Sequence, residues 1–159
     1  MFTTTICSIL YVEDSPRDAE LTLQALAAAH LANEVIHLGD GADALDYLFR
    51  RGEFAGRTTG HPAAILLDLK MPRVDGLEVL RQIRSDAELK AIPVVVMTSS
   101  REDSDLAQCY ALGVNAYVVK PVKFHEFVDA VKQVGGFWAV LNQLPVGSVQ
   151  PWPGSGGRS

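Results

Sequence analysis

The stretch AILLDLKMP, residues 64–72, decides the fold. An apolar run, Ala64 to Leu67, stops at the carboxylate Asp68, and Lys70 with the Met71-Pro72 pair then turns the chain. A short, continuous apolar run bounded in this way reads as a strand buried on both faces, as in a parallel sheet covered by helices. SILYVEDS, residues 8–15, repeats the pattern and ends on Glu13 and Asp14. Working outward, strands are predicted over Ile6–Val12, Val35–Leu38, Ala64–Leu67, Val94–Thr98 and Ala116–Val119.

Helix-period segments alternate with these strands. Ser15-Pro16-Arg17-Asp18 offers a hydroxyl cap, a proline in the first turn and an acid at the third position. Asp75-Gly76-Leu77-Glu78 and Ser100-Arg101-Glu102-Asp103 start helices in the same way. Gly52 and Gly113 stand where helix ends call for a left-handed residue. Leu23, Leu26 and Ala27, then Leu77, Leu80 and Ile83, follow helical spacing, and the longest stripe runs from Phe124 to Leu141. Five such strand–helix units imply a doubly wound α/β sandwich around a five-stranded parallel sheet, and the order 2-1-3-4-5 would make strands 1 and 3 neighbours.

That order gives the acids a purpose. Ligands of an open parallel sheet bind beyond the carboxyl ends of its strands, where the winding reverses. Glu13, Asp14 and Asp68 would meet there, with Thr98 and Lys120 from the fourth and fifth strands. Three carboxylates in one place repel unless a cation joins them. Mg2+ is the fitting ion, being hard and oxygen-seeking. Asp14 and Asp68 would bind it directly, a backbone carbonyl near Lys70 would add a ligand, and Glu13 would act through water. An aspartate beside Mg2+, a lysine and a hydroxyl forms a phosphoryl acceptor. Asp68 would attack phosphorus, Lys120 would neutralise the transferring oxygens and Thr98 would hydrogen-bond one of them.

Other chemistries lack their signatures. The first strand–helix turn, YVEDSPRDAE, has no glycine and so no phosphate cradle. The histidines (His30, His37, His61 and His125) show no zinc spacing, and Cys7 and Cys109 read as core residues. A net charge of −5 over 159 residues offers no footprint for nucleic acid or for an anionic membrane. No run is long enough to span a bilayer and no signal peptide is read at the start, so a cytoplasmic protein is expected.

The motif set resembles the receiver domain of two-component response regulators. It comprises Glu13-Asp14, Asp68-x-x-Met71-Pro72-x-x-Asp75-Gly76, Thr98-Ser99 and Tyr117-x-x-Lys120-Pro121. The resemblance implies a flavodoxin-like sandwich in which Asp68 takes a phosphoryl group from a phosphohistidine of a sensor kinase. Glu13, Asp14, Asp68 and the Lys70 carbonyl would organise Mg2+. Thr98 and Tyr117 would form the switch, and a cis Lys120–Pro121 peptide would aim the lysine. The chain would be a phosphoacceptor that promotes its own phosphorylation and dephosphorylation, not a turnover enzyme. The long connection RRGEFAGRTTGHPA, residues 50–63, and the extension KQVGGFWAVLNQLP, residues 132–145, are similar to features of the stand-alone regulators that serve bacterial phytochrome kinases.

One folded unit is expected over residues 1–145, followed by a flexible Pro/Gly/Ser-rich tail, 146–159. The signal would pass through protein–protein contact. Phe137, Trp138, Leu141 and Leu144 exceed what one buried helix face needs and suggest a homodimer through the last helix region. Two alternatives stay open at this level. One is an unphosphorylated receiver-like binding module. The other is a haloacid-dehalogenase-type phosphatase, although such enzymes carry an acid where Lys70 stands.

Overall fold

The structure, a computed structural model, describes residues 8–28, 34–99, 103–120 and 125. The elements run β1 (Ile9–Val12), α1 (Pro16–Ala28), β2 (Val35–Leu38), α2 (Gly41–Phe49), a 3-10 turn (Gly52–Phe54), β3 (Ala64–Leu67), α3 (Gly76–Ser85), β4 (Val94–Thr98), α4 (Asp103–Ala111) and β5 (Ala116–Val119). The sheet is parallel, in the order β2-β1-β3-β4-β5. The expected architecture therefore stands, and β2 to β5 keep their predicted bounds. Within the described residues β1 begins at Ile9, and Ile6 and Cys7 lie outside them.

Side-chain alternation divides the core in two. Leu10, Val12, Ile65, Leu67, Val94 and Val96 face α2 and α3, meeting Leu45, Leu48, Val79, Leu80 and Ile83. Ile9, Tyr11, Ala64, Leu66, Val95 and Met97 face the other way, onto Ala19 and Leu26 of α1. β1, β3 and β4 are buried throughout, because each is flanked by strands and covered on both faces. β2 and β5 are the sheet's edges and are buried only in part. On α1 the core face is Ala19, Thr22 and Leu26, whereas Ala27 points to solvent. Cys109 is a buried, unpaired thiol on α4, raised to about 11 by burial and by the nearby Asp105 charge. Among the described residues no helix is long and apolar enough to cross a membrane.

The caps follow the local code. Ser15 Oγ accepts from Asp18 N at 3.2 Å, and Asp75 Oδ1 accepts from Glu78 N at 3.0 Å. Asp75 is thus the cap of α3. The third cap motif, at Ser100, lies outside the described residues. Gly113 has φ 78°, as expected at the end of α4. At the end of α2 the left-handed residue is Arg50, φ 56°, with Gly52 also left-handed two positions on. Arg51 N reaches back to Asp46 O at 2.8 Å, which closes the helix two residues earlier than a left-handed residue at Gly52 would.

The long connection after α2 is fastened down. Arg57 lies over the Tyr47 ring at 4.1 Å and donates to the carbonyls of Tyr47 at 3.0 Å, Thr59 at 2.8 Å and Gly60 at 2.9 Å. It enters β3 at the end of the sheet away from the acids.

One glycine is tied directly to the acid-bearing loop. A Cβ on Gly76 would lie 2.2 Å from the Asp68 carbonyl oxygen and 2.7 Å from Leu69 Cα, and Gly76 N donates to Leu69 O at 2.9 Å. Both clashes are with backbone, which cannot give way without moving Asp68. Gly76→Ala is expected to lower stability by about 2 kcal/mol, seen as a lower urea midpoint at unchanged slope.

Candidate functional site: an acidic cluster with a buried lysine

The ladder hydrogen bonds continue one residue past the strands and fix the backbone of each acid. Glu13 N donates to Leu38 O at 3.0 Å, and Asp68 N donates to Val12 O at 3.0 Å. β1 pairs with β3 as Val12↔Leu67, so Glu13 and Asp68 leave neighbouring strands side by side. The carboxylates of Glu13, Asp14 and Asp68 offer oxygens that all lie within 4.8 Å of one another. Glu13 and Asp68 are buried and Asp14 is exposed.

Lys120 enters from the far edge strand. Its N–H donates to Thr98 O at 2.8 Å, which extends the β4–β5 ladder and sets the lysine above the sheet. The ammonium lies 2.7 Å from Glu13 Oε1, 2.9 Å from Asp18 Oδ2 and 3.3 Å from Asp68 Oδ1. Asp68 Oδ1 is buried and takes no hydrogen bond among the described residues. At its longer distance the lysine attracts that oxygen by charge without an aligned donor.

The charges explain the protonation behaviour. Burial is the main force on Asp68; the Glu13 charge adds to it, Lys120 opposes it, and the carboxyl is pushed up to about 7. Burial also works against the Lys120 charge. Hydrogen bonds to Glu13 and Asp18 and the charge of Asp68 outweigh it and raise the lysine above its ordinary range.

The native Asp68 carboxyl holds its proton up to about pH 7, whereas in the unfolded chain it loses it near its ordinary 3.8. This linkage favours the fold at low pH and fades as pH rises through that window. Asp68→Asn is therefore expected to be more stable than the native chain in metal-free buffer at about pH 8, by about 1–3 kcal/mol. The gap should close toward about pH 4 in paired urea titrations.

The remaining expected residues fall as follows. Thr98 ends β4 and is fully buried. Tyr117 is partly buried in β5, pairs with Val96 and packs on the α2–α3 side of the core. Lys70 is in the loop after β3, and its exposed side chain reaches the buried Asp105 of α4 at 3.3 Å. Pro121, Phe137, Trp138, Leu141 and Leu144 lie outside the described residues, as does the tail.

Sequence reading missed three contacts of the site. Asp18, read only as a helix-start acid, holds Lys120. Tyr11 points its hydroxyl at Glu13 Oε1, 3.5 Å away, and its ring stacks on His37, whose Nε2 lies 2.9 Å from Glu13 O. Arg73, itself left-handed, pairs with Asp40 and pins the loop after Asp68 to the start of α2. Nothing in the spacing of these residues signals the contacts, since each joins elements far apart in the chain or depends on side-chain direction.

The model of the response regulator receiver domain matches residues 9–132. The chain belongs to the response regulator receiver domain family. This receiver is 60% identical to a solved bacteriophytochrome response regulator, RtBRR, with a TM-score of 0.80 over 91% of this chain and 87% of that one. It is 42% identical to the probable methanogenesis regulatory protein FilR2 of Methanothrix harundinacea (strain 6Ac), over 86% of each chain. It is 38% identical to the response regulator Rcp1 of Synechocystis sp., over 86% of this chain and 92% of that one. A solved Mn2+-bound form of Rcp1 has a TM-score of 0.71 over 87% of the receiver and 99% of Rcp1.

The donor set fits a hard divalent cation. It is all carboxylate oxygen, it converges, and it includes a buried Asp68 oxygen that takes no hydrogen bond among the described residues.

Proposed function

We propose that the protein is a stand-alone response regulator whose Asp68 accepts a phosphoryl group from the phosphohistidine of a sensor histidine kinase, and that this kinase is a bacteriophytochrome. The observation that carries the acceptor reading is the convergence of Glu13, Asp14 and Asp68 within 4.8 Å beside the buried Lys120 ammonium. The choice of kinase rests on the 60% identity to RtBRR. Glu13, Asp14, Asp68 and the Lys70 carbonyl would hold Mg2+, which when bound neutralises charge on the transferring oxygens.

The chain's own groups account for the rest. A carboxylate oxygen of Asp68 attacks phosphorus, so an O–P bond forms while the P–N bond to the donor imidazole breaks. The imidazole nitrogen leaves with the electron pair and takes a proton from solvent. Lys120 supplies a positive charge beside the incoming oxygens. Thr98, at the end of β4, would donate its hydroxyl to the phosphoryl group, and Tyr117 would follow it inward as the switch. The acylphosphate is lost to water, so the protein is consumed and regenerated stoichiometrically. Output would then pass through a protein contact, with Phe137, Trp138, Leu141 and Leu144 as candidates for a homodimer interface, and the setting would be the cytoplasm.

The test is transfer from a bacteriophytochrome first autophosphorylated with labelled ATP. Label should move to this chain within seconds to minutes, require Mg2+, and move at least tenfold faster than from an unrelated kinase, about 1.4 kcal/mol in the barrier. Equal rates from both kinases would remove the phytochrome assignment. No transfer from either would remove the acceptor reading.

A further inference from the structure

We propose that Asp18 is a positioning residue of the phosphoryl-transfer site, holding the Lys120 ammonium toward α1 so that an arriving phosphoryl group must draw it away. The inference rests on Asp68 being the acceptor.

A lysine ammonium has three N–H donors and no acceptor. In the structure it serves Glu13 at 2.7 Å and Asp18 at 2.9 Å, while Asp68 Oδ1 lies at 3.3 Å with no hydrogen bond among the described residues. Two hydrogen-bonded carboxylates thus outcompete the acceptor for the cation. Asp18 is fixed for this task. Its backbone N is held by Ser15 Oγ at 3.2 Å in the first turn of α1, and its carboxylate, although partly open to water, accepts from the ammonium at 2.9 Å.

Phosphoryl transfer changes the balance. Negative charge spreads over the transferring oxygens beside Asp68, and the ammonium, with its third N–H not spent on Glu13 or Asp18, must shift toward them to bring that donor within reach, which stretches one of its two present bonds. Of its present partners Glu13 is 1% exposed, whereas Asp18 is 38% exposed and can be hydrated once released. Asp18 is therefore the partner given up. Its bond to Lys120 exists before transfer and is lost in the transition state, so it slows uptake. After transfer the lysine already serves the phosphoryl group, and Asp18 has no further hold on the loss of that group to water.

The experiment uses the full chain with Mg2+ and acetyl phosphate, following phosphoryl gain by intact mass and decay after donor removal. Asp18→Asn and Asp18→Ala are expected to take up phosphoryl about three- to tenfold faster than the native chain, with decay half-lives within about twofold of it. Asp18→Glu, which keeps the charge, should behave as native. Glu20→Gln removes a charge from the same helix without touching Lys120 and should also behave as native. Native uptake rates in Asp18→Asn, an equal gain in Glu20→Gln, or a proportional change in decay would each overturn the role of Asp18. A native chain that gains no mass would instead remove the acceptor reading beneath it.

Discussion

Asp68→Asn is expected to take up no phosphoryl group when the chain is incubated with Mg2+ and a small acyl phosphate, whereas the native chain should gain one. This is the largest effect expected of any substitution. The amide oxygen of asparagine lacks the negative charge that makes Asp68 a nucleophile, and an amide cannot form a stable acylphosphate. The neighbouring acids do not substitute for it. Glu13 Oε1 is hydrogen-bonded to Lys120 at 2.7 Å, Glu13 Oε2 accepts from Ser15 N at 3.2 Å, and Asp14 is exposed to water. The substitution itself should fold well, since it removes a buried carboxyl that the metal-free site already resists ionising. Intact mass with and without Mg2+ reads the result. An undiminished gain in Asp68→Asn would place the acceptor elsewhere. A gain in the native chain that ignores Mg2+ would separate the acid cluster from the chemistry.

Lys120→Met carries the second large effect, on stability and uptake together. The Lys120 side chain is 8% exposed and those of Glu13 and Asp68 are 1% and 4% exposed, so the cation balances charge that water cannot reach. Methionine fills similar volume but leaves two buried carboxylates facing each other. Removing one partner from such a set costs about 3–5 kcal/mol. The loss should be greatest above about pH 7 and shrink below it, where the Asp68 carboxyl holds its proton and needs no balancing charge. Saturating Mg2+ should recover part of it, because a ligand that binds only the native state at about a hundred times its Kd adds about 2.7 kcal/mol. Uptake should fall by about 100-fold even with Mg2+, the usual cost of losing one preorganised charge donor. Urea titrations at two pH values read the first effect and intact-mass kinetics the second. A variant as stable as the native chain at alkaline pH would mean that Lys120 balances no buried charge there, against the arrangement described above.

The two variants divide the site by role. Asp68 is the group proposed to react, and Lys120 the charge that makes its burial tolerable and would make its reaction fast. Asp18 would be of a third kind, acting on the reaction only through Lys120, to which it is hydrogen-bonded. Lys70 and Arg73 flank the acceptor loop with ion pairs to Asp105 and Asp40, so movement of that loop is linked to both α4 and α2.

Much of this molecule is written locally. The runs at 64–67 and 94–98 could only be buried strands, because each is apolar, short and closed by a charged or hydroxyl residue. The Asp75 and Ser15 caps were legible because a cap bonds only three residues ahead. The acids at the strand ends were legible as a site because parallel winding obliges the carboxyl ends of neighbouring strands to share one edge. What the sequence could not state is how one ammonium divides itself among three carboxylates. Asp18 and Lys120 are separated by 102 positions, and the choice between Asp18 and Asp68 turns on differences of a few tenths of an ångström. The left-handed Arg50, the exposed Ala27 and the loop-to-α4 bridge of Lys70 with Asp105 were equally beyond reach. Propensity and periodicity report on a residue's near neighbours. The direction of a side chain and the partner of a buried charge are decided only when distant elements close around them and water is excluded.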